Sequence, residues 1–182
     1  MKEWDIAPEP VMDYQIRLSV LDTKDVPCED IEGTSDVFIK AYIDDRDKRT
    51  TDTHFRCQNG AASFNYRMLF DVQSPRKEPL LLVLQAWDLD IFKKNDYICE
   101  WTLDLEELFR NVRLTQERVH LTKAYYDAFL KKKMPAGVKL EFREDDSFSL
   151  TCMKDGKQIS IRLDLRIVPN ELAVKNAVGS GR

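Results

Sequence analysis

The stretch Trp87-Asp88-Leu89-Asp90-Ile91-Phe92-Lys93-Lys94-Asn95-Asp96 follows an apolar run, Leu80 to Trp87. A second acidic stretch, Asp30-Ile31-Glu32-Gly33-Thr34-Ser35-Asp36, leads into another such run, Val37 to Ile43. The spacings are W-D-x-D-x5-D and D-x5-D. Both put their carboxylates on loops at strand ends. Five aspartates, Asp30, Asp36, Asp88, Asp90 and Asp96, converging on one spot would repel one another by several kcal/mol at an effective dielectric of about 20. Such a cluster makes sense with a hard cation and oxygen ligands. The bland reading, acidic residues merely solvated on loops, does not account for two such spacings bracketed by strand patterns. Calcium, which takes 6–8 oxygens at 2.3–2.6 Å, fits flexible aspartates better than magnesium, which wants a smaller octahedral site.

Outward from these loops the chain alternates. Tyr14, Ile16, Leu18 and Val20 share one face, with Gln15, Arg17 and Ser19 on the other, which predicts a half-buried strand. Val37 to Ile43 is the next, followed by a charged tip at Asp44–Lys48. Thr50 to Arg56 and Ser63 to Asp71 are expected to pair with each other. Leu80 to Trp87 is apolar on both faces and reads as a central strand; Ile98 to Leu105 follows. Leu105 to Phe109 is a helical turn, and Tyr125 to Met134 is helix-like, stopped by Pro135 and Gly137. Ser147 to Met153 and Gln158 to Val168 flank Lys154-Asp155-Gly156-Lys157, a hairpin signal. The expected fold is all-β, a Greek-key antiparallel sandwich of about eight strands with a partly helical insertion before the last strands. Residues 1–13 read as a linker, 14–169 as the domain, with 106–157 holding the helical elaboration and an extra hairpin strand, and 170–182 as a tail.

Composition bounds the rest. The 182 residues are 43% hydrophobic with a net charge of −4, suited to one soluble domain and giving no overall pull toward nucleic acid. No run approaches a membrane span, and the N-terminus lacks the apolar core of a signal peptide. Cys28, Cys57, Cys99 and Cys152 are far apart and have no zinc spacing, which favours reduced thiols in a cytosolic setting. His54 and His120 stand alone with no nucleophile–base pairing, so an enzyme is not expected. Trp101, Phe64 and Phe70 read as core.

With these residues in place the chain resembles a C2 domain, the calcium-dependent phospholipid-binding sandwich. The two loops match its acidic pattern at all five positions, and Ser35-Asp36-Val37-Phe38-Ile39-Lys40 resembles its S-D-P-Y-V-K strand start. It is most similar to the last, membrane-proximal C2 domain of ferlins. Asp52-Thr-His54-Phe-Arg56 through Gly60-Ala-Ala-Ser-Phe64-Asn65-Tyr66-Arg67, Ile161 to Ile167 and Lys175-Asn-Ala-Val-Gly179 carry that similarity. Few residues precede the first strand and a strong strand closes the chain, as in the permuted type II topology. Cys99 replaces the glycine usual after the last ligand, and Val37 the proline after the second.

The resemblance implies that backbone carbonyls of Glu29 and Leu89 join the calcium ligands. Ile31, Ile91 and Phe92, at the loop tips and outside any core, are expected to enter a membrane, with Lys93 and Lys94 touching anionic headgroups. It also implies a phosphoinositide patch at Trp87, Asn95 and Lys40. There Thr51 and Thr53 replace a lysine pair and Phe38 replaces a tyrosine, while Lys48 and Arg49 offer compensation, so this remains open. Lys131-Lys132-Lys133 reads either as a membrane contact or as a solvated helix end. The expected partners are anionic phospholipid membranes, phosphoinositides and proteins of a fusion machinery. The expected setting is the cytoplasmic face of membranes, as a fragment of a membrane-anchored protein. The competing reading is a calcium-independent C2 module for protein–protein contact.

Overall fold

The computed structural model describes residues 7–28, 33–131 and 139–182. Two antiparallel sheets face each other. The first runs β5 (Ala62–Ser74), β1 (Met12–Lys24), β11 (Lys157–Pro169), β10 (Phe148–Lys154) and β9 (Leu140–Phe142), with β8 (Val119–His120) also on β11. The second runs β3 (Arg49–Thr50), β2 (Ser35–Tyr42), β6 (Leu81–Asp88) and β7 (Asp96–Asp104), with β4 (His54–Cys57) also on β2. Eight of these strands exceed three residues. The C-terminal strand β11 lies beside β1 in register Leu18↔Leu165, the permuted arrangement expected.

Period-two alternation builds the core. Tyr14, Ile16, Leu18 and Val20 of β1 and Ile159, Ile161, Leu163, Leu165 and Ile167 of β11 point inward. They meet Val37, Ile39 and Ala41 of β2 and Leu82, Leu84 and Ala86 of β6 in one cluster. Trp101 crosses the layer, donating its indole N–H to the Ile159 carbonyl at 3.2 Å. Helix α1 (Glu106–Thr115) closes the end remote from the acidic loops with Leu108, Phe109 and Val112, and Phe109 meets Tyr14 edge-on.

Several expectations need correction. The segments 50–56 and 63–71 do not pair: β4 joins β2 in one sheet and β5 joins β1 in the other. The turn between them crosses from sheet to sheet, which strand pattern alone does not reveal. Leu80 to Trp87 is not covered equally on both faces, since β6 buries Leu82, Leu84 and Ala86 while Leu81, Val83 and Gln85 are half-covered. The helix-like 125–134 stretch is a short turn, α2 (Lys123–Tyr125), continuing as a π-turn over Tyr126–Leu130; Lys132, Lys133 and Met134 lie outside the described residues.

The last residues cross the outer face of the first sheet. Helix α3 (Asn170–Lys175) lies on β1 and β11, where the Arg17 guanidinium donates to the carbonyls of Ala173 (3.3 Å) and Asn176 (2.7 Å). Further on, Gly181 and Arg67 of β5 exchange two backbone hydrogen bonds of 2.9 Å, and Arg182 donates from Nε to the Phe64 carbonyl.

Candidate cation and membrane-contact site

Strand register brings the acidic residues together. Val37 sits opposite Asp88, and Asp88 sits opposite Asp96, so β2, β6 and β7 end side by side. Asp88 continues the inward alternation of Leu82, Leu84 and Ala86, which is why a carboxylate lies only 8% exposed. It is the one carboxylate in the buried set among the described residues. Its Oδ1 accepts the Asp36 N–H at 2.7 Å, while the Leu89 N–H donates to the Asp36 carbonyl at 2.8 Å. Asp36 in turn accepts on Oδ1 from the Arg56 N–H at 2.7 Å. Arg56 reaches that position in a left-handed conformation at φ 51°, sparsely used by residues with a Cβ.

The loop after β4 is fixed by a second contact. The Val26 N–H donates to the Gly60 carbonyl at 3.1 Å, and a Cβ on Gly60 would come within 2.4 Å of Val26 N. Gly60 has φ +71°, so both its conformation and this approach require glycine. This contact joins the stem of the first acidic loop to the loop following β4.

Between Asp88 and Asp96 the chain forms a hairpin tip. Asp90 Oδ1 accepts the N–H groups of Phe92 (2.8 Å) and Lys93 (3.0 Å), and the Asp90 N–H donates to Asn95 Oδ1 at 3.2 Å. The Phe92 N–H bond, followed by that from Lys93 and the Lys93 charge, holds the Asp90 carboxyl below the usual carboxylate range. Folding the loop back on its own backbone leaves Ile91 78% and Phe92 94% exposed. Lys93 and Lys94 are exposed beside them, with Lys93 Nζ 3.8 Å from Asp90 Oδ2.

Glu29, Asp30 and Ile31 lie outside the described residues. Of the remaining acidic positions, Asp36, Asp88 and Asp96 stand at adjacent strand ends and Asp90 on the intervening loop. Among the described residues no three histidine, cysteine or carboxylate groups already converge to grip a metal ion. The donor set still fits a hard cation. A buried carboxylate flanked by two more carries a desolvation and repulsion cost that a divalent ion would offset. An ionised carboxylate also has about four acceptor positions, so one N–H bond does not exhaust it.

The three patch residues separate into two groups. Lys40 Nζ lies 4.2 Å from the centre of the Trp87 ring, and Trp87 meets Tyr97 edge-on. Asn95 instead braces the loop through Asp90. Sequence reasoning missed Phe55, 63% exposed on β4 between two residues paired with β2, and Arg56 as the holder of Asp36. Phe55 could have been suspected as an aromatic next to a charged residue in a segment too short to bury it.

Comparison with known proteins agrees with this architecture. The C2 domain family profile matches residues 14–121. The chain is a member of the C2 domain family. Its relatives are ferlins: it is 29% identical over 137 residues to mouse (Mus musculus) Fer-1-like protein 4, covering 60% of this chain and 7% of that protein. It is also 29% identical over 133 residues to the sperm vesicle fusion protein fer-1 of Caenorhabditis elegans, covering 60% of this chain and 6% of that one. The C2 chain thus spans less than a tenth of the length of these relatives. A solved C2 domain of plant extended synaptotagmin 1 shares the fold at a TM-score of 0.53 and 16% identity, over 90% of this chain and 97% of that one. No helix among the described residues is long and apolar enough to cross a membrane.

Proposed function

We propose that this C2 domain is a calcium-dependent phospholipid-binding module of a ferlin-like protein acting in vesicle fusion, exocytosis or membrane repair. It binds rather than catalyses, and it works at the cytoplasmic face of a membrane. The observation that carries the reading is one hairpin tip with two functions. Its stem holds Asp88 and Asp96, and its crown presents Ile91 and Phe92 to solvent.

In this reading Asp30, Asp36, Asp88, Asp90 and Asp96 hold the ion, with Glu29 and Leu89 adding backbone carbonyls. When bound, calcium supplies positive charge and open coordination positions for phosphate oxygens. The chain does the remainder. Without the ion, the carboxylates repel anionic headgroups and keep the apolar crown off the surface. With that charge offset, Ile91, Phe92 and Ile31 enter the bilayer while Lys93 and Lys94 stay at headgroup level, each worth about 1 kcal/mol near an anionic surface. Trp87 and Lys40, already stacked, form the side available to a phosphoinositide head. The vesicle-fusion name of the nematode relative supports this setting.

Co-sedimentation with phosphatidylserine-containing vesicles, with calcium and with chelator, tests the proposal. Binding should require calcium, and the same ion should raise the melting temperature in solution because it binds the assembled loops and not the unfolded chain. Equal vesicle binding in chelator, or a melt indifferent to millimolar calcium, would overturn it and favour a calcium-independent protein-contact module.

A further inference from the structure

β4 meets β2 irregularly at the end that carries the acidic loops. Cys57 pairs with Ser35 and His54 with Val37, so two residues, Phe55 and Arg56, stand opposite the single residue Asp36. Two residues against one make a β-bulge, a device that re-aims side chains. Cys57 is buried, but both bulge residues are exposed, Phe55 by 63%. The bulge is pinned, because the Arg56 N–H donates to Asp36 Oδ1 at 2.7 Å. An aromatic and a basic side chain are thereby held at the surface, level with an aspartate proposed as a cation ligand. We propose that Phe55 and Arg56 form a second membrane contact, at headgroup depth, across that aspartate from the hairpin tip.

Depth follows from strand level, and rests on the membrane role proposed above. Phosphate oxygens that complete a calcium ion's coordination must lie beside its aspartate ligands. Residues level with Asp36 then stand among the headgroups, whereas Ile91 and Phe92 reach further from the crown of the hairpin. An apolar ring next to a basic group is the combination that interfacial segments use.

Orientation is the consequence. β4 and β6 pair with opposite edges of β2 at Val37. At about 4.8 Å per strand, the strands carrying Phe55 and the hairpin tip are about 10 Å apart across Asp36. A lone crown would leave the sandwich free to rock about it. A foothold on the other side of the aspartates fixes the angle at which the domain stands. The neighbours of Phe55 in sequence favour a bilayer over a protein groove: Asp52, Gln58 and Asn59 are exposed and polar, so the chain around the ring offers no continuous apolar patch. Arg56 supplies the charge that an anionic surface attracts.

The test uses the whole chain with vesicles of phosphatidylcholine and phosphatidylserine at saturating calcium. Phe55→Ala should weaken co-sedimentation about fivefold, less than Phe92→Ala, because a ring at headgroup depth is only partly withdrawn from water. Phe55→Trp should restore binding, since tryptophan favours the interface. Arg56→Gln keeps the backbone N–H that holds Asp36, and it should weaken binding at low salt but not at high salt. The calcium-induced rise in melting temperature should be the same in all three variants. Contact is read directly with the photo-crosslinker p-benzoylphenylalanine placed at position 55 or at position 92. Both positions should give lipid adducts with calcium and none with chelator. Adducts at 92 but not at 55, with Phe55→Ala binding as tightly as the parent, would overturn the assignment. Calcium-dependent docking would then stand, and Phe55 would be left to a protein partner. Adducts at neither position would overturn the membrane role and this contact together.

Discussion

Replacing Phe92 and Ile91 with alanine isolates the apolar part of docking. Phe92 is 94% and Ile91 78% exposed, so nearly all of each side chain is available for burial in a bilayer. Burying a Phe or Ile side chain gains about 1.5–3 kcal/mol. Cutting back to the methyl forfeits about 2 kcal/mol for Phe92 and about 1.5 kcal/mol for Ile91. At 1.4 kcal/mol per decade, Phe92→Ala should weaken vesicle partitioning about 30-fold and the double variant about 300-fold. The assay is co-sedimentation against a lipid titration at saturating calcium, with a calcium-dependent thermal shift in solution as control. The thermal shift should hardly change, because neither side chain is proposed as a ligand and the Asp90 bonds run to backbone N–H groups. The deficit should persist at high salt, where the exposed lysines are screened. A double variant that binds vesicles as tightly as the parent would refute insertion and leave docking to calcium bridging and basic residues.

Asp88→Asn keeps an acceptor for the Asp36 N–H but removes a buried charge; it should raise the calcium-free melting temperature and abolish the calcium-induced shift, both read by scanning fluorimetry. Gly60→Ala should cost about 1–3 kcal/mol in urea unfolding, since the new Cβ would press on the Val26 backbone. Acid should act through Asp44, held below its usual range mainly by the hydrogen bonds from Arg76. A depressed carboxyl adds stability above its unfolded value near 4 that is lost as pH falls through the lower folded value. Melting curves between about pH 4 and pH 2 should therefore fall less steeply for Asp44→Asn than for the parent.

Legibility in the sequence followed the strength of local periodicity. Strands β1 and β11 alternate so regularly that their inward residues could be named in advance, and the Asp155-Gly156 turn was readable because few residues adopt its backbone. The acidic spacing identified which loops to consider, and register then explains why Asp88 and Asp96 stand opposite each other. Short segments were harder. β4 carries four residues, too few for a period to declare which sheet it joins, and its partner is decided by contact with β2. The π-turn at Tyr126–Leu130 shares its residue types with an ordinary helix, and what distinguishes it is the bond from the Lys131 N–H to the Tyr126 carbonyl five residues back. Asn95 was assigned to a ligand patch by resemblance, whereas its bond to Asp90 could be found only in three dimensions.

The paired hydrogen bonds between Gly181 and Arg67 have a bearing on how the molecule avoids its own kind. β5 is thirteen residues long and ends its sheet, so its outward N–H and C=O groups form an open template for strand addition. Gly181 occupies that template at Arg67, and the Arg182 guanidinium takes the Phe64 carbonyl beside it. A passing β-strand would have to displace both before it could lengthen the sheet. The last residues thus serve as a guard rail against fibre-like stacking of copies, and a trimmed chain that retained every core residue and every loop aspartate would still lose that protection.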